Sequence, residues 1–342
     1  MTRTAVILFN LGGPDRPDAI QPFLANLFND PAIIGLPWPF RPILAQVISQ
    51  RRQKQAREIY DQIGGKSPLL EQTWDQARAL QQALNDDQAR VFVAMRYWHP
   101  MAEEVVEQVK EFAPDRIVLL PLYPQFSTTT SASSVREWKR AAKAAGLDVP
   151  THTVCCYPTE AGLIEAQAKL VGEALEKADD QPVRLLFSAH GLPEKIVKNG
   201  DPYQWQVEQT ASAVMAAIGR PELDWLVCYQ SRVGPLAWIG PSTDDEIKRA
   251  GTESLGVIVI PIAFVSEHSE TLVELDIEYA EMAGKAGVKT YIRVPALQTQ
   301  PSFIEGLAGL VGEAFARNDD PASNVGRRLC PPEWAKCPCR QA

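Results

Sequence analysis

A chain of 342 residues exceeds the size at which a single hydrophobic core stops growing, so its length predicts two compact domains. With 45% hydrophobic and 22% charged residues it has the composition of an ordinary globular protein, and no apolar run reaches the roughly 18 residues of a membrane-spanning helix. Its 42 acidic residues outweigh 34 basic ones, giving a net charge of −8 with no basic block, which argues against nucleic acid as a partner and favours a small or cationic ligand.

The chain opens MTRTAVILFNLGG. A Gly-Gly-Pro-Asp turn follows the short apolar run where a leader would carry a small-residue cleavage site, so the run reads as a first strand and the expected location is cytoplasmic. Apolar runs of strand length then recur as ARVFVAMRY, DRIVLLPLY, THTVCCY, VRLLFSAH, LDWLVCYQ, LGVIVIPIAFV and VKTYIRV. Helical patterns lie between them, at 70–86, 101–112, 160–178, 204–219 and 270–285. This alternation predicts an α/β fold of repeated βα units around parallel sheets flanked by helices.

Such folds bind ligands at the C-terminal ends of their strands. The polar groups that invite chemistry fall there: NLGGPD after the first run, RYWHP after the second, YPQFSTTTSASS after the third, SAHGLP after the fifth and SEHSE after the seventh. Any one of these could be turn chemistry; five together predict one site built from several strand ends. Two nucleotide motifs fail: GGPD at 12–15 lacks the G-x-G-x-x-G spacing, and GGKS at 64–67 has Tyr60 where a phosphate loop needs glycine. No nucleotide is expected.

The stretch SEHSETLVELDIEY, 266–279, places Glu267, Glu270, Glu274, Asp276 and Glu278 beside His268, with no lysine or arginine from 266 to 284. Read as a helix from Glu270, it sets Glu270, Glu274 and Glu278 on one stripe, with Leu272, Leu275, Tyr279 and Met282 on the other side. An acidic ladder starting where a buried strand ends suits protons or a cation, and carboxylate with imidazole is a ligand set for ferrous iron. His190 ends the strand VRLLFSAH and is the histidine best placed to act; His99 and His152 read as structural or exposed. Residues 33–48, with Leu36, Trp38 and Phe40 among prolines, read as an apolar loop: a lip over the site, or a peripheral contact with the inner face of a membrane. The tail LCPPEWAKCPCRQA gathers Cys330, Cys337 and Cys339. With Cys155 or Cys156 as a fourth donor it suits zinc or an iron–sulfur cluster, and adjacent strand residues point to opposite faces, so one of that pair is expected to serve. Cys228 reads as a small core residue.

The segments FSAHGLP, NGDPY, YQSRVGPLAWIGPSTDDEI and VIPIAFVSEHSETLVELDIEY resemble the signature segments of the ferrochelatases, the terminal enzymes of haem synthesis. The resemblance runs from VILFNLGGPD through RRQKQAREIYDQIGGKSPL, MRYWHP and YPQFSTTT to about residue 310. It implies two Rossmann-like domains of the class II chelatase type, at 1–153 and 154–304, then a closing helix and linker at 305–328 and the cysteine-rich tail at 329–342. It also implies insertion of Fe(2+), as substrate, into protoporphyrin with release of two protons. The family's histidine falls on His190 and its glutamate on Glu270, with His268, Glu274 and Glu278 as a proton or metal pathway. Trp238 and Tyr97 resemble pocket residues, Trp38 belongs to the lip, and Arg51, Arg52 and Arg96 are candidates for the propionates. Some members carry a C-terminal [2Fe–2S] cluster, which assigns Cys330, Cys337 and Cys339 with Cys156, or Cys155, to such a centre here. Whether His190 or Glu270 binds iron stays open, as do a carrier role without turnover, coproporphyrin or a sirohaem precursor as substrate, and the choice between monomer and homodimer.

Overall fold

The computed structural model describes residues 2–179, 181–316 and 319–339, so the last three residues of the cysteine-rich tail lie outside the described residues. The chain divides into two compact units. Among the described residues no helix is long and apolar enough to cross a membrane.

The first unit takes the chain up to Cys156, then Leu307–Leu329 and the segment from Pro338. In order it contains β1 (Thr4–Asn10), α1 (Ile20–Phe28), α2 (Phe40–Asp61), α3 (Leu69–Leu84), β2 (Ala89–Met95), α4 (Ala102–Phe112), β3 (Arg116–Pro121), α5 (Ser131–Ala144) and β4 (Thr151–Cys156). The strands form a parallel sheet of order β2-β1-β3-β4-β9, whose last member, β9 (Ala322–Ser323), arrives late in the sequence. Every residue of β1 is buried, with Leu8 opposite Val93 on one side and Leu120 on the other. Burial on both faces is why TAVILFN lacks alternation. Ile7, Phe9, Phe92, Val106, Leu119 and Trp138 make one core cluster, and Ile20, Phe23, Tyr60, Tyr97 and Trp98 a second.

One expectation is corrected here. The apolar loop expected over 33–48 stops at Pro39, because α2 begins at Phe40 and runs for 22 residues. Pro37 and Pro39 precede the helix, and Pro42 sits in its first turn, where a missing N–H forfeits no helical bond.

The second unit comprises Tyr157–Gly306 and Cys330–Cys337. It holds α6 (Ala161–Ala178), β5 (Val183–His190), α7 (Glu194–Lys198), α8 (Tyr203–Ile218), β6 (Asp224–Gln230), α9 (Thr243–Thr252), β7 (Gly256–Pro261), a π-helix (Glu270–Tyr279), α10 (Ala280–Lys285) and β8 (Tyr291–Arg293). The helix α11 (Pro301–Glu313) then carries the chain back to the first unit. The parallel sheet has order β6-β5-β7-β8, with Phe187 of β5 between Val227 and Ile260. Its core joins Leu186, Ile247, Val257 and Val259 to Leu275 and Tyr279 of the π-helix. Ser242 caps α9 by accepting from Asp245 N at 3.1 Å, and the acids of the first turn complement the helix dipole.

Candidate active site

In the second sheet the winding reverses between β5 and β7, since β6 lies on one side of that pair and β8 on the other. Ligands of open α/β sheets bind where the winding reverses, beyond the C-terminal strand ends. His190 is the last residue of β5, and Glu270 starts the π-helix that follows β7. The two meet, with His190 Nδ1 2.8 Å from Glu270 Oε2.

Each perturbs the other. Burial would raise the Glu270 carboxyl, but the facing His190 ring outweighs it and pulls the group down to about 2. Burial would lower His190, and the Glu270 carboxylate instead raises it above its usual value. An ionised carboxylate only accepts, so His190 Nδ1–H is the donor. Burial lowers His268, keeping it a neutral ring: it stacks edge-on to Phe264 at 4.5 Å, and its Nδ1 accepts from the Glu270 N–H at 3.2 Å. Tyr203, at the start of α8, is buried, and burial with the nearby Glu270 charge pushes its hydroxyl well above the usual phenol range.

Glu274 follows on the same helix. It accepts from Ser231 N (2.8 Å), Ser231 Oγ (2.5 Å), Gln230 Nε2 (3.0 Å) and Tyr279 OH (3.2 Å). Burial and the neighbouring Glu270 charge still raise it above the usual carboxylate range. Ser231 reaches it with both donors because its backbone is left-handed, at φ +58°. Glu278 is exposed, so the three glutamates run from a half-buried pair to solvent. The other two acids of the stretch are occupied otherwise: Arg293 of β8 holds Asp276 and Glu267. The expected α-helical stripe is corrected in type, since residues 270–279 form a π-helix, with ordinary α-helix only from Ala280. Sequence reasoning missed Gln230, Ser231, Tyr203 and Arg293. The first two lie inside the quoted motif YQSRVGPLAW, but neither carries the charge or imidazole that draws notice.

Trp238 is half-buried, and it bridges Pro193, just after the His190 turn. A Cβ on Gly191 would meet Gln230 O at 3.0 Å and Trp238 Cε3 at 3.4 Å, so glycine lets these segments close beside His190.

The first unit holds the remaining candidates. Arg96 and Tyr97 converge on the buried Asp30, which accepts from Arg96 Nη2 (2.8 Å), Tyr97 OH (2.9 Å), Arg136 Nη2 (2.9 Å) and Ser133 Oγ. Tyr97 is fully buried. Its ring packs in the core, and the Arg96 guanidinium forms an ion pair with Asp30. Arg51 and Arg52 are exposed on α2, and Trp38 is 76% exposed beside Phe40 at 64% and Ile43 at 65%.

All six cysteines are buried thiols without a disulfide. Cys155 Sγ lies 3.2 Å from both Cys156 Sγ and Cys339 Sγ. The expectation that the adjacent pair points to opposite faces is corrected: the β4–β9 register shifts between Val154 and Cys156, and such an irregularity re-aims a side chain. Cys330 and Cys337 fall in the second unit, where Gln206 Nε2 donates to Cys330 Sγ at 3.1 Å. Buried, soft sulfur donors suit an iron–sulfur cluster chemically. Yet among the described residues no group of three or more histidine, cysteine, aspartate or glutamate side chains is arranged to hold a metal ion.

Comparison with solved structures places the architecture among chelatases. The sirohydrochlorin chelatase SirB from Bacillus subtilis subspecies spizizenii in complex with cobalt matches with TM-score 0.52 at 9% identity, over 91% of this chain and 95% of that one. DR2241 from Deinococcus radiodurans, described as structurally similar to chelatases, matches with TM-score 0.51 at 12% identity, over 92% of this chain and 56% of that one. At such identities the likeness concerns the fold alone. The sequence narrows it: the family model for ferrochelatase matches residues 3–315. Ferrochelatase of Caulobacter vibrioides (strain NA1000 / CB15N) is 57% identical over 99% of this chain and 98% of the relative, and that of Phenylobacterium zucineum (strain HLK1) 55% over the same shares. The chain belongs to the ferrochelatase family, the lyases that insert iron into protoporphyrin in haem biosynthesis.

Proposed function

We propose that this chain inserts ferrous iron into protoporphyrin through the His190–Glu270 pair. The observation that carries the reading is the 2.8 Å contact between them, made by the last residue of β5 and the first of the π-helix after β7, the two strands between which the second sheet reverses its winding. A free-base porphyrin keeps two N–H protons where the metal must go, and both leave as the dication enters. With Nδ1 turned to Glu270, Nε2 of His190 is the atom that accepts a pyrrole proton, and the carboxylate stabilises the imidazolium that forms. Glu274, whose carboxyl holds a proton more readily than usual, takes the next position, and exposed Glu278 passes the proton to water. The same oxygen and nitrogen donors suit ferrous iron as substrate, with His268 as a neutral ring at the start of the ladder. Metal arrival and proton departure thus share one pathway and need no nucleotide.

Trp238 offers a flat apolar surface for the macrocycle beside this centre, while Arg51, Arg52 and Arg96 of the first unit are the candidates for its propionates. The exposed side chains of 33–48 make a peripheral membrane contact that delivers an apolar substrate. The tail thiols Cys330, Cys337 and Cys339, with Cys156 or Cys155, hold a [2Fe–2S] cluster; their burial and softness support this. When bound, the cluster supplies one-electron chemistry, and no step of insertion passes through it.

The test is an anaerobic absorbance assay with protoporphyrin and ferrous iron, run beside His190→Ala. Multiple-turnover conversion to haem by the wild type, lowered by about 100-fold or more in the variant, is the expected result. A porphyrin spectrum that shifts on binding but never metallates would make the protein a carrier.

A further inference from the structure

Helices with i→i+5 bonding seldom extend beyond a single turn, and they cluster at functional sites. Here the wide form persists for ten residues, Glu270–Tyr279, and carries the carboxylates of the site. Two side chains of β8 meet it. Tyr291 OH donates to the Leu275 carbonyl at 2.6 Å. Arg293 forks onto Asp276, with Nε to Oδ1 at 2.7 Å and Nη2 to Oδ2 at 2.5 Å, while its Nη1 reaches Glu267 Oε1 at 2.5 Å. Glu267 Oε1 also accepts from Ala296 N at 2.9 Å. Tyr291 and Arg293 stand two residues apart, and so on one face of β8, whose register beside β7 is fixed by Val257 opposite Tyr291 and Val259 opposite Arg293.

The contacts fall where they control orientation. Leu275 and Asp276 directly follow Glu274 on the helix, and Glu267 lies three residues before Glu270. Pinning a carbonyl and a carboxylate in one turn, and the segment leading into the helix, opposes rotation about its axis. The Arg293 side chain is 12% exposed and that of Glu267 6%, so this is a shielded ion pair with nearly all its geometry set by protein.

We propose that Tyr291 and Arg293 are positioning residues: a clamp on β8 that fixes the rotation of the π-helix and so presents Glu270 to His190 and Glu274 to Ser231. The inference rests on the reading above that these glutamates handle iron and protons. Neither clamp residue touches the reacting atoms. Their loss acts on iron handling and leaves porphyrin binding alone.

The experiment compares full-length wild type with Tyr291→Phe, Arg293→Lys and Arg293→Met by two readouts: hydrogen–deuterium exchange of the amides of 270–280, and metallation kinetics with KM for ferrous iron, KM for protoporphyrin and kcat resolved separately. Tyr291→Phe deletes one hydroxyl and no charge, so it keeps the fold in play should Arg293→Met unfold. Expected are exchange faster by about fivefold in Tyr291→Phe, the equivalent of one hydrogen bond, a higher KM for iron with that for porphyrin unchanged, and partial rescue by lysine relative to methionine. Unchanged exchange in Tyr291→Phe and Arg293→Met would overturn the clamp. Faster exchange with unaltered iron kinetics would overturn the positioning role. A wild type that never metallates would defeat the functional reading, while the exchange readout would still decide whether β8 holds the helix.

Discussion

The Glu270 carboxyl is held at about 2 in surroundings that would otherwise drive it upward, so its ionisation depends on His190. A depressed carboxyl stabilises the fold above its ordinary value of 4.5, and that contribution disappears as pH falls through about 2. A raised imidazole stabilises below its ordinary 6.5 and loses its contribution as pH rises through its folded value. The pair is therefore fully stabilising between 4.5 and 6.5, with losses on both sides. Replacing Glu270 by glutamine should abolish the pair's share of the acid limb and let burial lower His190. NMR titration of the His190 ring, with urea midpoints against pH, checks this; an unmoved imidazole would break the claimed coupling. Each of these two residues stood out in its own motif, but their direct contact across 80 positions was not legible, because only the fold brings the end of β5 to the start of the π-helix. The fate of Glu267 and Asp276 was not legible either, because their cation, Arg293, stands 26 and 17 residues downstream and only the fold delivers it.

At the scale of elements, strands were the clearest text. Both-face burial writes β1 and β5 as mainly apolar runs without alternation, and their observed bounds coincide with TAVILFN and VRLLFSAH. The helical span over 270–285 was equally readable, but not its bonding: Leu275 and Tyr279 face the core in a wide helix as they would in a narrow one. The start of α2 was obscured by prolines that read as loop yet are tolerated in a first turn. Its consequence is a rigid helical end bearing Phe40 and Ile43 next to Trp38. If this end meets lipid, Trp38→Ser with Phe40→Ser should cut sedimentation with anionic vesicles by at least about tenfold, since burying each such side chain is worth about 1.5–3 kcal/mol. Equal partitioning of wild type and variant, or none by either, would remove the membrane contact.

For the whole molecule, the sequence announced two domains and a cysteine-rich end, but not that the chain would return to its starting unit, because a two-residue strand carries almost no pattern. The cluster is tested on intact protein purified without oxygen: iron and sulfide in equal amounts, with visible absorbance lost in Cys337→Ser, are expected, and a wild type free of both would end the proposal. The return of the chain also bears on synthesis. The sheet of the first unit acquires β9 along β4 only through residues 322–323, with Asp320 Oδ1 accepting from Thr153 N and Asn324 N donating to the Cys156 carbonyl. Until a ribosome has translated those codons, after Tyr157–Gly306 of the second unit, that edge of β4 has no strand beside it and its backbone groups can pair with another chain. Nascent molecules are thus exposed to edge-to-edge association from the completion of β4 until β9 is made, and a stop codon just after α11 would make that exposure permanent.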